Sequence, residues 1–171
     1  DVMQEAARLH FMLKRYEKAA ASWDRYATLV ETDIASGGLL ITCYTALGDR
    51  ASVERVAQRT MARAEKAVAT DADNGSAMAT IFCCLLCLGE ARRAKEWARR
   101  AGLIDPDNLG MRYNLACDFV VAVHDHDMAL EMLRPVCRNS GHEQIAWIAA
   151  DPDMDPLRDD PRFKEMVAEA E

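Results

Sequence analysis

The chain has 171 residues, half of them apolar but only 6% aromatic, with a formal net charge of −7. That length is about one domain with room for a real core, and a net acidic balance speaks against nucleic acid, whose binders present a basic face. The longest apolar run, Ala77 to Leu88, is too short to cross a bilayer and no signal peptide is evident, so no membrane insertion is expected.

In chain order, Asp1 to Leu13 reads as a helix, and Tyr16 to Val30 as a second, with Ala19, Trp23 and Tyr26 on one face. Ile34 to Leu47 is a third, ended by Gly48-Asp49; Gly37-Gly38 lowers its propensity and predicts a late or irregular start. Arg50 to Thr70 is the longest helix. Its apolar stripe includes Val53, Val56, Ala57, Met61, Ala64 and Val68. Arg55, Arg59, Arg63 and Lys66 form a basic stripe on another face, either a solvated surface or a docking strip for an acidic segment.

After the linker Asp71 to Asn74, Ser76 to Leu88 and Arg92 to Leu103 form a helical hairpin closed by Asp105-Pro106-Asp107-Asn108. Leu109 to Val123 and Met128 to Cys137 form the next, and Pro135 predicts a kink or an early end to its second helix. Gly141 to Ala149 is a short helix, Asp151 to Pro161 a proline and aspartate turn, and a last helix runs from Pro161 to about Ala170. No alternating run of β-branched residues predicts a strand.

The six cysteines are Cys43, Cys83, Cys84, Cys87, Cys117 and Cys137. Several lie in apolar helical runs, where free cysteine acts as a small hydrophobe, so they read as reduced thiols of a cytoplasmic protein. Cys83 and Cys87 share a helix face, but no histidine or acid lies nearby to complete a metal site, and packing is the simpler role. His124-Asp125-His126-Asp127 reads as a polar turn with Asp127 capping the next helix, or as a weak metal site. No nucleophile–base pair, phosphate loop or paired catalytic carboxylates can be argued. No cofactor, no metal and no catalysis by this chain are expected.

Gly89, Ala94, Ala101 and Pro106 recur at spacings that resemble tetratricopeptide repeats, antiparallel helix pairs of roughly 34 residues. Phe82 and Leu85 match in the same unit; Leu115, Ala116, Phe119 and Ala129 match in the next, with one residue inserted at its turn. Ala6, Ala7, Ala19, Trp23 and Tyr26 match in the first, and Leu40, Tyr44 and Gly48 in the second, whose second helix is overlong. The resemblance implies an all-α superhelix of about four hairpins (1–33, 34–74, 75–108, 109–140) with capping helices and an acidic tail over 141–171. That tail holds eight acids against three bases from Asp151 to Glu171. Its Trp147, Leu157 and Phe163 are expected to pack on the last hairpin.

This ending resembles that of bacterial multidomain regulators such as class III adenylate cyclases. The chain opens on Asp1 without an initiator methionine. It is therefore expected to be the regulatory part of a longer signalling protein, with any enzymatic activity in another domain. By the same resemblance, the first helix of each hairpin lines a concave face showing Arg8, Phe11 and Met12; Leu39, Thr42 and Thr45; Ala79, Thr80, Cys83 and Cys87; and Tyr113, Asn114, Cys117 and Val121. So little basic character predicts no carboxylate clamp, and an extended or helical protein segment with apolar anchors fits better. The alternatives are a short peptide or small apolar ligand near Cys83, Cys87, Cys117 and Tyr113, and a homodimer.

Overall fold

A computed structural model describes residues 2–170 as α-helices with two irregular turns and no strand among them. The sequence-read helix start at Asp1 and the tail end at Glu171 lie outside the described residues. The helices are α1 (Val2–Met12), α2 (Tyr16–Leu29), α3 (Ala35–Ala46), α4 (Arg50–Thr70), α5 (Gly75–Cys87) and α6 (Ala91–Ile104), followed by α7 (Leu109–Asp118), α8 (His126–Asn139), α9 (His142–Ala150) and α10 (Pro161–Ala168). A π-helical turn, Phe119–Val123, extends α7, and a 3-10 turn, Pro152–Leu157, precedes α10. The chain forms two compact units, one ending at Trp97 and the other beginning at Ala98, so the division falls inside α6.

The turns after α1, α3, α5 and the α7 extension each place one residue in the left-handed region: Lys14, Gly48, Gly89 and His124. In the first three, the next amide reaches back five residues, as in Asp49 N–H to Tyr44 O and Glu90 N–H to Leu85 O, both 2.9 Å. This is the Schellman closure of a helix end. In the fourth, Asp125 N–H reaches back six, to Phe119 O at 2.9 Å. The residue inserted there is absorbed as the π turn. The turns before α5 and α7 also match each other. Asn74 accepts from Ala77 N–H at 2.8 Å and Asn108 from Met111 N–H at 3.0 Å, each capping the helix it opens.

In the unit ending at Trp97, Ala7, Ala19, Ala20, Trp23, Ala27, Leu40, Cys43 and Val56 form a buried cluster, with Phe11 edge-on to Trp23 at 5.6 Å between ring centroids. Small alanines let the helices approach closely. Contrary to the expected late start, α3 begins at Ala35 and Gly37 is buried inside it. A Cβ at Gly37 would lie 2.4 Å from the buried Thr60 side chain of α4, so this glycine permits the α3–α4 approach.

Asp24 on α2 is the polar centre of this unit. It accepts from Tyr44 Oη at 2.6 Å, Arg59 at 2.7 Å and Arg55 at 3.3 Å. Burial opposes its ionisation, but the bonds from Tyr44, Arg59 and Arg55 outweigh that and hold its carboxyl below the ordinary range. Arg63 donates to Ala27 O at 2.7 Å and Asp33 O at 3.0 Å. The arginines of the basic stripe therefore bind their own chain; Lys66 is exposed.

In the unit from Ala98, the buried Arg112 of α7 donates to Gly102 O, and to Pro106 O at 2.9 Å, at the end of α6. Of the kink or early end expected at Pro135, the early end does not occur: α8 runs through it to Asn139. Its cap is Asp125, which accepts from Met128 N–H at 3.1 Å, not Asp127, which pairs with Arg162 at 2.7 Å. Met154 and Leu157 of the 3-10 turn and Phe163 and Met166 of α10 are buried. Leu157 and Phe163 thus pack inside as expected. Trp147 does not: it is 61% exposed.

Gly37→Ala should destabilise the protein by about 1–3 kcal/mol in urea unfolding, because the new methyl collides with Thr60; Thr60→Ala in the same chain should restore part of the loss. Unfolded aspartate titrates near about 3.9, and Asp24 titrates lower when folded. Its charge therefore stabilises the fold above that value, and the contribution disappears as pH falls through the folded pKa. Asp24→Asn should lower the melting temperature at neutral pH and flatten the acid limb of the stability profile; an unaltered acid limb would contradict the Asp24 assignment.

Candidate functional site

The Asn108 cap starts α7 so that Met111, Arg112, Leu115 and Ala116 face inward. The other side of the helix then presents Tyr113, Asn114 and Cys117. On α9, Ile145 and Ile148 are the buried pair, three residues apart. Gln144 and Trp147 fall off that stripe. Between these faces and the end of α8 lies a hollow of about 580 Å³, lined by Tyr113, Asn114, Asn139, Ser140, Gln144 and Trp147 among others.

Its aromatic wall is held from behind. Tyr113 Oη donates to the Asp151 carboxylate and accepts from Trp147 Nε1–H at 3.0 Å. Asp151 in turn accepts from Asp153 N–H at 2.9 Å. Burial, reinforced by the bond to Asp151, pushes the Tyr113 pKa up, so the phenol stays a neutral donor. The rest of the polar lining is made of neutral amides and a hydroxyl. Asn139 spends its amide N–H on Pro135 O at 2.8 Å, whereas the side-chain amides of Asn114 and Gln144 are unpaired among the described residues. The lining carries no formal charge.

Behind the groove, single ligand-type atoms of Cys117, Asp151 and Asp153 lie within 4.8 Å of one another. Burial, with the negative charges of Asp151, Asp153 and Asp118, pushes the Cys117 thiol up to about 12. A protonated thiol is a poor metal ligand and a poor nucleophile. Both Asp151 oxygens already accept hydrogen bonds.

Of the residues assigned to a concave face, none is fully buried. Tyr113 and Asn114 line the groove; Cys117 lies beside it, and Val121 is exposed in the π turn. In the other unit, Arg8, Met12, Thr42 and Thr45 are exposed, and Leu39 and Phe11 lean on the core. Ala79, Thr80, Cys83 and Cys87 are half-buried along α5. Thr45 and Cys87, with Tyr44, Gly48, Arg50 and Val53, line a separate hollow of about 250 Å³. Cys84 is buried and burial, with Cys87 nearby, pushes its thiol up to about 12, in keeping with packing. Sequence reading did not find Asn139, Ser140, Gln144 or the outward Trp147. The phase of Ile145 and Ile148 was the available signal for Trp147, since a residue two beyond Ile145 cannot share their face.

No family model matches this chain, and no curated protein matches it either.

Tyr113→Phe should free the Trp147 indole, moving its N–H resonance toward the random-coil position and costing about 1 kcal/mol of stability. An indole signal that stays in place would rule out the bond to Tyr113.

Proposed function

We propose that this chain is a non-catalytic protein-interaction domain of the tetratricopeptide type, and that its groove between α7, α8 and α9 holds an extended peptide segment of a partner protein. The observation that carries the reading is the lining itself: an exposed indole braced by Tyr113, together with unpaired side-chain amides, in a hollow of about 580 Å³. Peptide backbones offer alternating donors and acceptors, which asparagine and glutamine can match with both ends of one amide. An exposed, braced indole offers a large apolar contact at little entropic cost. Binding rather than catalysis is favoured because the lining carries no charged side chain and no pairing of a nucleophile with a base.

The repeat reading is supported by the matching Schellman turns at positions 14, 48 and 89 and by the paired Asn74 and Asn108 caps. With the resemblance of the acidic tail, it suggests a docking arm of a bacterial multidomain signalling protein, with any effector activity in another domain.

The test is fluorescence anisotropy with labelled peptides carrying a Leu-Tyr-Leu anchor in an uncharged background. Trp147→Ala should weaken binding about tenfold or more, while Trp97→Phe, outside the groove, leaves it unchanged. Equal binding by the wild type and Trp147→Ala would rule out this groove. Binding of small apolar metabolites but of no peptide would favour a ligand sensor instead.

A further inference from the structure

On the other side of the end of α8 lies a second hollow, of about 240 Å³, lined by Arg134, Cys137, Arg138, Ser140, Met166 and Glu169 among others. Arg134 and Arg138 stand four residues apart, so their side chains leave the same helix face. Both are exposed, and neither makes a hydrogen bond or ion pair with any described residue. Three other arginines of this unit, on α7 and the tail, behave differently. Arg112 is tied to carbonyls, Arg158 to Asp155 and to carbonyls, and Arg162 to Asp127 and Asp160.

The two guanidinium groups, without a partner among the described residues, stand over a floor of buried Cys137 and Met166. The planar fork of arginine matches a carboxylate with two parallel N–H donors, and the apolar floor strengthens the attraction by excluding water from one side. Ser140 lines this hollow and the aromatic groove alike. The two are therefore neighbours along one path around the end of α8.

We propose that the Arg134–Arg138 hollow is an acidic subsite: it receives a glutamate or aspartate side chain of the same partner segment whose apolar residue contacts Trp147. This rests on the peptide-binding reading of the groove. It adds a charge requirement that the neutral groove does not impose, and so makes the partner segment an apolar anchor flanked by acidic residues. Glu169, at the rim of the hollow, opposes the incoming carboxylate and limits its affinity.

Two sets of fluorescein-labelled peptides test this, identical in their Leu-Tyr-Leu anchor and differing only in a Glu-Glu or Gln-Gln pair placed on either side of it. The wild type should bind one Glu-Glu peptide about tenfold more tightly than its Gln-Gln twin, as charge-assisted hydrogen bonds imply. The preference should vanish in Arg134→Gln/Arg138→Gln, grow in Glu169→Gln, and persist in Trp147→Ala although both peptides bind more weakly there. Equal binding of the twins to the wild type, or a preference that survives the double arginine substitution, overturns the acidic subsite and leaves the groove reading standing. If no peptide binds protein whose circular dichroism confirms the fold, the groove reading fails and the subsite falls with it.

Discussion

Among the helices that end without a basic residue in their last turn, α2, α6 and α9 are each completed by an arginine from a later element. Arg63 reaches Ala27 O at the end of α2, Arg112 reaches Gly102 O near the end of α6, and Arg158 reaches Ala149 O at the end of α9. Each also binds a carbonyl just past its helix: Asp33 O, Pro106 O and Asp151 O. The last carbonyls of a helix have no intrahelical partner and carry the negative end of its dipole. A guanidinium supplies both the donors and the charge, in a fixed fork that fits only one placement of the donor element. The chain thus uses its arginines to position one helix against the end of another.

The consequences differ in the two units. In the first, Arg63 with the Asp24 bonds to Arg55 and Arg59 binds α4 to α2. With α4 placed there, α3 meets Thr60 at such close range that only a glycine fits at position 37. In the second, Arg112 anchors the inner face of α7, which leaves Tyr113 and Asn114 on the outer one. Arg158 fixes the end of α9, and Asp151 beside it braces Tyr113, which braces Trp147. The groove is a product of these supports more than of its own lining.

Much of the helical order was legible because it rests on local chemistry. The glycines at 48 and 89 occupy left-handed turn positions, and the Asp-x-x-Asn turns cap the helices that follow. The bounds of α4, Arg50 to Thr70, match the sequence reading. What was not legible depends on partners distant in sequence. A row of arginines at helical spacing looks the same whether it faces water or Asp24, and nothing local distinguishes the two. Lys14 and His124 adopt the left-handed conformation without being glycine, so those turns were legible but the residue that turns in each was not. The early end expected at Pro135 does not occur, because α8 continues through it to Asn139. Of the groove, Tyr113 and Asn114 were legible from α7; the contribution of α8 and α9 required the fold.

A binding role fits a site assembled from rigid helix faces with neutral, preorganised lining groups. Its geometry depends on the arginine that seats α7 on the end of α6. Urea unfolding of Arg112→Lys tests that dependence most directly, since lysine keeps the charge but cannot reach both carbonyls. The expected result is a lower midpoint corresponding to a loss of about 2 kcal/mol. A midpoint equal to the wild type would contradict the arginine as the element that seats the helix.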